Sequence, residues 1–166
     1  MAILSWQTPS NIENSIKKFI DAQILSQSLQ LLDQNGVAQD ISVRIGKTVN
    51  NSWNLPLIQL YYDSKISVPL ELGSNNQLKD YLVIIECRTL LPGQESNLAE
   101  WLEDLIKNGM TYYEYTVNAG FPDAPTETDS GHINLSFVSS NPVNTGDDAD
   151  LYDKNRYRTT IKCWLT

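Results

Sequence analysis

The sequence predicts an α+β fold, a mostly antiparallel β-sheet with two helices packed on one face. Three observations lead there. Residues 81–117 read as strand, helix, strand. A second amphipathic helix lies near the beginning of the chain. The remainder breaks into short alternating stretches separated by turn residues. A helix with one apolar stripe must cover something, and a sheet made by neighbouring strands is the simplest surface to cover.

The chain starts with Met1-Ala-Ile-Leu-Ser-Trp6, which lacks the basic end and long apolar region of a signal peptide. The expectation is a protein made and used in a cytoplasm, or assembled there into something larger. Ser10-Asn-Ile-Glu13 has the spacing of a capping box. Ile12, Ile16, Phe19, Ile20 and Ile24 then recur with helical period, predicting a helix over residues 11–24. Leu29, Leu31 and Leu32 continue it or add a further helical turn, and Asn35-Gly36 ends that stretch.

Ile41-Ser-Val-Arg-Ile45 and Leu57-Ile-Gln-Leu-Tyr-Tyr62 read as strands, with a polar, turn-rich segment between them. Val68-Pro-Leu-Glu-Leu-Gly73 contains Pro69, so it is at most a short edge strand or an extended arm. In Tyr81-Leu-Val-Ile-Ile-Glu-Cys-Arg88, alternation puts Tyr81, Val83, Ile85 and Cys87 on one face. Leu98, Trp101, Leu102, Leu105 and Ile106 form the stripe of the second helix. Ser96 is its expected N-cap, Gly109 its stop, and Lys107 suits the negative end of the helix dipole. Tyr112-Tyr-Glu-Tyr-Thr-Val117, His132-Ile-Asn-Leu-Ser-Phe-Val138 and residues 156–165 complete the strands. Two long loops, 119–131 and 141–155, separate them, and loops of that length suggest use beyond connection.

With 166 residues, 41% hydrophobic and 19% charged, the chain fits one domain spanning 1–166. No apolar stretch is long enough to span a bilayer. A formal charge of -8 argues against tight binding to nucleic acid, which needs cations to displace counterions. It is compatible with DNA passing nearby, since a negative wall repels phosphate. Cys87 and Cys163 fall in predicted strands at apolar-facing positions and read as buried free thiols.

No enzymatic constellation is legible, and no cofactor is expected. His132 is the only histidine, so no Ser-His-Asp or Cys-His set forms without it. Asp147, Asp148 and Asp150, with Asp153 and Asn155, can be placed around a hard cation such as calcium. The EF-hand spacing fails, however, and a solvated acidic loop is the plainer reading. Glu86 and Glu114 read either as a facing carboxylate pair or as charges on an exposed sheet face. Tyr61, Tyr62, Tyr112, Tyr113 and Tyr115 lie in strands. Adjacent tyrosines point to opposite faces, so if helices cover one face the other carries exposed rings. They read as cross-strand packing or as an interface, where tyrosine is enriched.

The order of parts resembles a known family. A first helix precedes strands containing Leu57-Ile-Gln-Leu-Tyr-Tyr62; Glu71-Leu-Gly-Ser74 turns into the strand 81–88. Leu98-Ala-Glu-Trp-Leu-Glu-Asp-Leu-Ile106 is the second helix, and Tyr-rich and closing strands with Asn155-Arg-Tyr-Arg158 follow. This layout is similar to the tail-terminator and tail-completion proteins in the neck of tailed bacteriophages. The resemblance covers most of the chain by layout and has no invariant chemical motif. It implies a structural virion protein, assembled in the host cytoplasm, that forms a homo-hexameric ring. Such a ring caps the tail tube and docks on the head-tail connector, with DNA passing through the lumen. Its partners would be copies of itself, the tail tube protein and the connector protein, with no membrane. Tyr61, Tyr112, Tyr113 and Tyr115, with Asp147, Asp148 and Asp150, are the expected contact residues. Another phage structural role (head completion, tube or baseplate adaptor) is the first alternative. A small ligand- or calcium-binding α+β domain is the second.

Overall fold

A computed structural model describes residues 8–48, 53–69, 77–116, 126–143 and 154–166. Two helices and eight strands follow in the order α1 (Thr8–Gln27), β1 (Gln30–Leu32), β2 (Ala38–Asp40), β3 (Ser42–Ile45), β4 (Leu57–Pro69), β5 (Gln77–Arg88), α2 (Gln94–Ile106), β6 (Met110–Thr116), β7 (Thr126–Pro142) and β8 (Arg156–Leu165). The fold is mixed α+β. β1 and β2 form a small hairpin, and the other six strands form a mixed sheet in the order β3-β4-β5-β8-β7-β6. The β3–β4 pair is parallel, and the remaining four pairs are antiparallel.

The sheet is curled. Its two edge strands, β3 and β6, both touch α1. Ile12, Ile16 and Ile20 of α1 are fully buried in a core that includes Val83 and Ile85 of β5 and Ile161 of β8. Leu98, Ala99, Leu102 and Ile106 of α2 join the same core. Alternation along β5 works as the sequence predicts, with Tyr81, Val83, Ile85 and Cys87 all facing that core. A carboxylate ties α2 to the sheet: Glu103 accepts a hydrogen bond from Thr159 Oγ1 at 3.1 Å and a second from Ser140 Oγ.

Several local expectations give way to tertiary structure. α1 begins at Thr8, so Ser10 and Glu13 lie inside the helix and form no capping box. Glu13 instead accepts the Tyr62 backbone N–H of β4 at 2.6 Å, and burial pushes its carboxyl up from the ordinary range against that bond's pull. α2 likewise begins before Ser96; Gly93 in a left-handed conformation occupies the N-cap with no side-chain bond. Leu31 and Leu32 belong to a strand, not a helix extension. The hairpin turn explains this: Asp33 Oδ1 accepts the N–H groups of Asn35 and Val37, and Gly36 takes a positive φ. Val68 and Pro69 of the expected arm end a 13-residue strand, with Pro69 opposite Gln77, and residues 70–73 lie outside the described residues. Gly109 does stop α2, with φ 74 and its N–H donated to Ile106 O at 2.8 Å.

Candidate functional site

The second face of the sheet is not bare. In register, Gln59 of β4 lies opposite Glu86 of β5, and Glu86 opposite Arg158 of β8. Arg88 lies opposite Arg156 two positions along, on the same face. Two like charges across a strand pair repel, and Glu86 sits where it offsets both. Its Oε2 accepts from Arg88 at 2.7 Å, and its Oε1 accepts from Arg156 at 2.6 Å and Arg158 at 2.8 Å. The Tyr61 hydroxyl donates to Oε1 at a longer 3.4 Å. Gln59 extends the network: its carbonyl accepts from Arg88 Nε at 3.1 Å and its amide donates to Gly46 O at 2.6 Å.

Glu86 and Gln59 are 0% exposed. Burial alone would raise the Glu86 pKa; the Arg156, Arg158 and Arg88 guanidiniums outweigh it and hold the carboxyl below the ordinary range. Part of the cover comes from the β3–β4 connection. The edge of the Trp53 ring comes within 3.3 Å of where a Gly46 Cβ would stand, and the Lys47 ammonium lies 6.0 Å from the centre of Tyr61. Glu86 and Glu114 form no carboxylate pair. β8 and β7 stand between their strands, and Glu114 lies opposite Thr128.

The four tyrosines expected at an interface are mostly enclosed within the subunit. Tyr61 and Tyr112 are buried, and Tyr113 and Tyr115 are half-buried. For the three tyrosines of β6 the reason is the position of α1, which lies along the edge of that strand and meets side chains on both sides of it; Tyr61 lies on β4 against Glu86. Asn11 Nδ2 donates to the Tyr112 hydroxyl at 3.3 Å, and the Lys18 ammonium stands 3.7 Å above the Tyr113 ring. Burial raises the pKa of Tyr112, and burial beside Glu127 pushes that of Tyr115 up to about 12. The helix also satisfies the strand's outer edge. Ser15 Oγ accepts the Tyr113 N–H at 2.9 Å, and Asn11 Oδ1 accepts the Tyr115 N–H at 3.3 Å. An edge so capped is closed to another strand. Asp147, Asp148 and Asp150 lie outside the described residues.

Comparison with known protein families finds no matching model, and comparison with curated proteins finds no match. The chain's own surface therefore carries the functional argument. Among the described residues no group of three His, Cys, Asp or Glu side chains is placed to hold a metal ion, and no helix is long and apolar enough to cross a membrane.

Open surfaces remain among the described residues, two of them at strands β4 and β5. One is a cleft of about 710 Å3 between the start of α1 and strands β4, β5 and β6. Tyr62, Tyr81, Tyr112 and Tyr115 line it, with Lys65, Lys79 and Glu114 at its polar positions. The other is the far half of the β4–β5 hairpin. β8 pairs with β5 only from Tyr81 onward, so residues 77–80 and their β4 partners leave the sheet as a two-stranded ribbon. Val68 lies opposite Leu78, and Ile66 is two positions along on the same side. These three apolar side chains are 50%, 47% and 43% exposed.

The ribbon, Gln59, Arg88 and the Glu86 cluster were not singled out as a site by sequence reasoning. The available signal for the ribbon was Ile66 and Val68 continuing the alternation beyond Tyr62. The buried cluster depends on register between distant strands, which alternation does not specify.

Proposed function

We propose that the chain is a structural assembly protein of the tailed-phage neck, a tail terminator whose copies form a ring on the end of the tail tube. The finer fold belongs to this reading: a mostly antiparallel sheet with both helices on one side. It is supported by the single core that the stripes of α1 and α2 share with Tyr81, Val83, Ile85 and Cys87. The observation that carries the function is the projecting ribbon. An isolated two-stranded hairpin is marginal in water, and this one presents Ile66, Val68 and Leu78 together on one side. Such a surface gains free energy by meeting protein. The net charge of -8 suits a lumen through which DNA passes without sticking.

The reading assigns no catalysis. Its partners are copies of the chain, the tail tube protein and the head-tail connector protein. Deletion of the gene in a phage that carries it tests the role: tails of uncontrolled length or tails not joined to heads are expected. Normal tails on intact particles would overturn it. Stacked rings along a tube, in place of one ring at its end, would favour the alternative of a tube subunit. The tyrosine-lined cleft supports the other alternative, a small ligand-binding domain. A ligand that protects the chain thermally, with the effect lost in Tyr81→Ala, would raise that reading.

A further inference from the structure

The cleft between the start of α1 and strands β4, β5 and β6 has a volume of about 710 Å3. That lies within the range of ligand-sized cavities, about 300–1,000 Å3. Strand register fixes which groups its β4–β5 wall presents. Lys65 lies directly opposite Tyr81, and Lys79 is two positions along from Tyr81, so the three side chains share one face. Lys65 and Lys79 are diagonal neighbours across the strand pair, about 7–8 Å apart at their bases and within reach of each other at their tips. Two like charges so placed repel, and neither lysine forms an ion pair among the described residues.

A second observation points into the same space. Tyr81 is 5% exposed and lines the cleft, yet its hydroxyl makes no hydrogen bond among the described residues and is not enclosed by protein. The Tyr62 ring stands 6.5 Å from it, tilted by 55°, and the Tyr62 hydroxyl is likewise without a hydrogen bond among the described residues. The wall thus offers two ammonium groups and two phenol hydroxyls. An ammonium group donates and cannot accept, so this set selects a group rich in acceptors. Charge-assisted donation makes an anion the strongest match.

The count of charges narrows the anion. A phosphomonoester carries a charge of about -1.5 to -2 at pH 7 on three acceptor oxygens, which balances two lysines and uses a hydroxyl donor as well. A carboxylate balances only one. The carboxylate among the lining residues is Glu114, on the β6 wall. It repels a second anion there and accepts from hydroxyl groups. The cleft is also much larger than a phosphate group, leaving room for the body that bears it.

We propose that this cleft binds a hydroxyl-bearing phosphomonoester, a sugar phosphate or a nucleoside monophosphate. Its phosphate lies on Lys65, Lys79 and the Tyr81 hydroxyl, and its hydroxyl groups face Glu114. The inference rests on the cleft and not on the ring reading.

Calorimetric titration of the purified full chain tests it, with ribose 5-phosphate, adenosine monophosphate, ribose, adenosine and inorganic phosphate as probes up to millimolar concentration. A net charge of -8 disfavours non-specific phosphate binding and keeps the background low. Saturable one-to-one binding of at least one ester is expected, weakened by salt, with ribose and adenosine silent. Binding of ribose 5-phosphate alone identifies a sugar phosphate, and binding of adenosine monophosphate alone a nucleotide whose base uses the tyrosine rings. Lys65→Gln/Lys79→Gln changes two exposed side chains and should weaken binding by more than about tenfold. Tyr81→Phe, with an unchanged thermal midpoint in the absence of ligand, should weaken it by about tenfold. Lys107→Gln, at the far end of α2, removes the same kind of charge and should change nothing.

No binding of either ester, or binding that the double lysine variant retains, would overturn the inference. Inorganic phosphate bound as tightly as the esters would overturn the assignment of an ester. Ribose or adenosine bound as tightly as their phosphates would overturn it too, while leaving a ligand-binding domain standing. Sedimentation velocity on the same samples reports the ring reading separately: a monomer that binds the ester keeps this inference and loses the ring, and a ring that binds none does the reverse.

Discussion

Glu86→Gln removes one negative charge from the most enclosed polar cluster on the sheet with almost no change of shape. Its cost can be worked from three contacts. The Arg88 side chain is 5% exposed, so its 2.7 Å pair with Glu86 is a buried ion pair. Breaking such a pair by neutralising one partner costs about 3–5 kcal/mol, because a buried cation loses its counter-charge. The Arg158 side chain is 41% exposed, and water screens its contact to about 1 kcal/mol or less. Arg156, 16% exposed, falls between. The Arg88 contact therefore dominates, and the expected loss is about 3–5 kcal/mol out of a total of about 5–15.

With a urea slope of about 2 kcal/mol/M, the unfolding midpoint should fall by about 2 M at unchanged slope. Arg158→Ala, measured alongside, should move it by about 0.5 M or less. The pH dependence carries a sign. Since the folded state holds the Glu86 carboxyl below its ordinary range, the stabilisation is fully present above the unfolded pKa of about 4.3. It is lost as pH falls through the depressed folded value. The gap between wild type and Glu86→Gln should be widest near neutrality and close under strong acid. A midpoint shift equal to that of Arg158→Ala, or a gap independent of pH, would refute the buried-pair account.

Three further outcomes follow from other parts of the fold. Ser15→Ala strips the Tyr113 N–H of its acceptor beside α1 and should cost about 1–3 kcal/mol, with faster amide exchange at Tyr113 than at its β7-paired neighbours. Gly93 and Gly109 both have positive φ, but only Gly109 is crowded, with the Ile133 carbonyl 2.2 Å from where a Cβ would stand. Gly93→Ala should cost about 1–2 kcal/mol and Gly109→Ala clearly more, by denaturant titration. Neither thiol should react with a disulfide reagent at pH 8 before unfolding: burial raises the Cys87 pKa, aided by Glu103 and Glu86, and pushes that of Cys163 up to about 12.

Helical stripes were the most legible feature of the sequence. Ile12, Ile16 and Ile20, and Leu98, Leu102 and Ile106, are core residues at the spacing that marked them. Alternation placed Tyr81 to Cys87 correctly for the same reason: burial of one face is a local signal. Helix ends were less legible. Ser10 and Glu13 carry the spacing of a local cap, but the sheet offers Glu13 a half-buried N–H at Tyr62. The cysteines show what pairing adds. β5 and β8 do pair, yet Cys87 lies opposite Tyr157 and Cys163 opposite Tyr81, six residues apart along the strands, about 20 Å.

The candidate site was largely illegible. Gln59, Glu86 and Arg158 are separated widely in sequence and meet only because three strands align in one register. The tyrosines were visible as a cluster, but the enclosure of Tyr112, Tyr113 and Tyr115 depends on α1 lying along the β6 edge, which no local pattern encodes. The parallel β3–β4 pairing is not encoded by the turn-rich segment between the two strands, since a parallel pair needs a crossover and not a tight turn.

The proposal that copies of this chain close into a ring is tested most directly by electron microscopy of the purified protein, with mass measured in solution on the same sample. The account predicts annular particles with an open centre and a mass that is a small fixed multiple of the subunit. A single subunit mass at every concentration, with no annular particles, would contradict it.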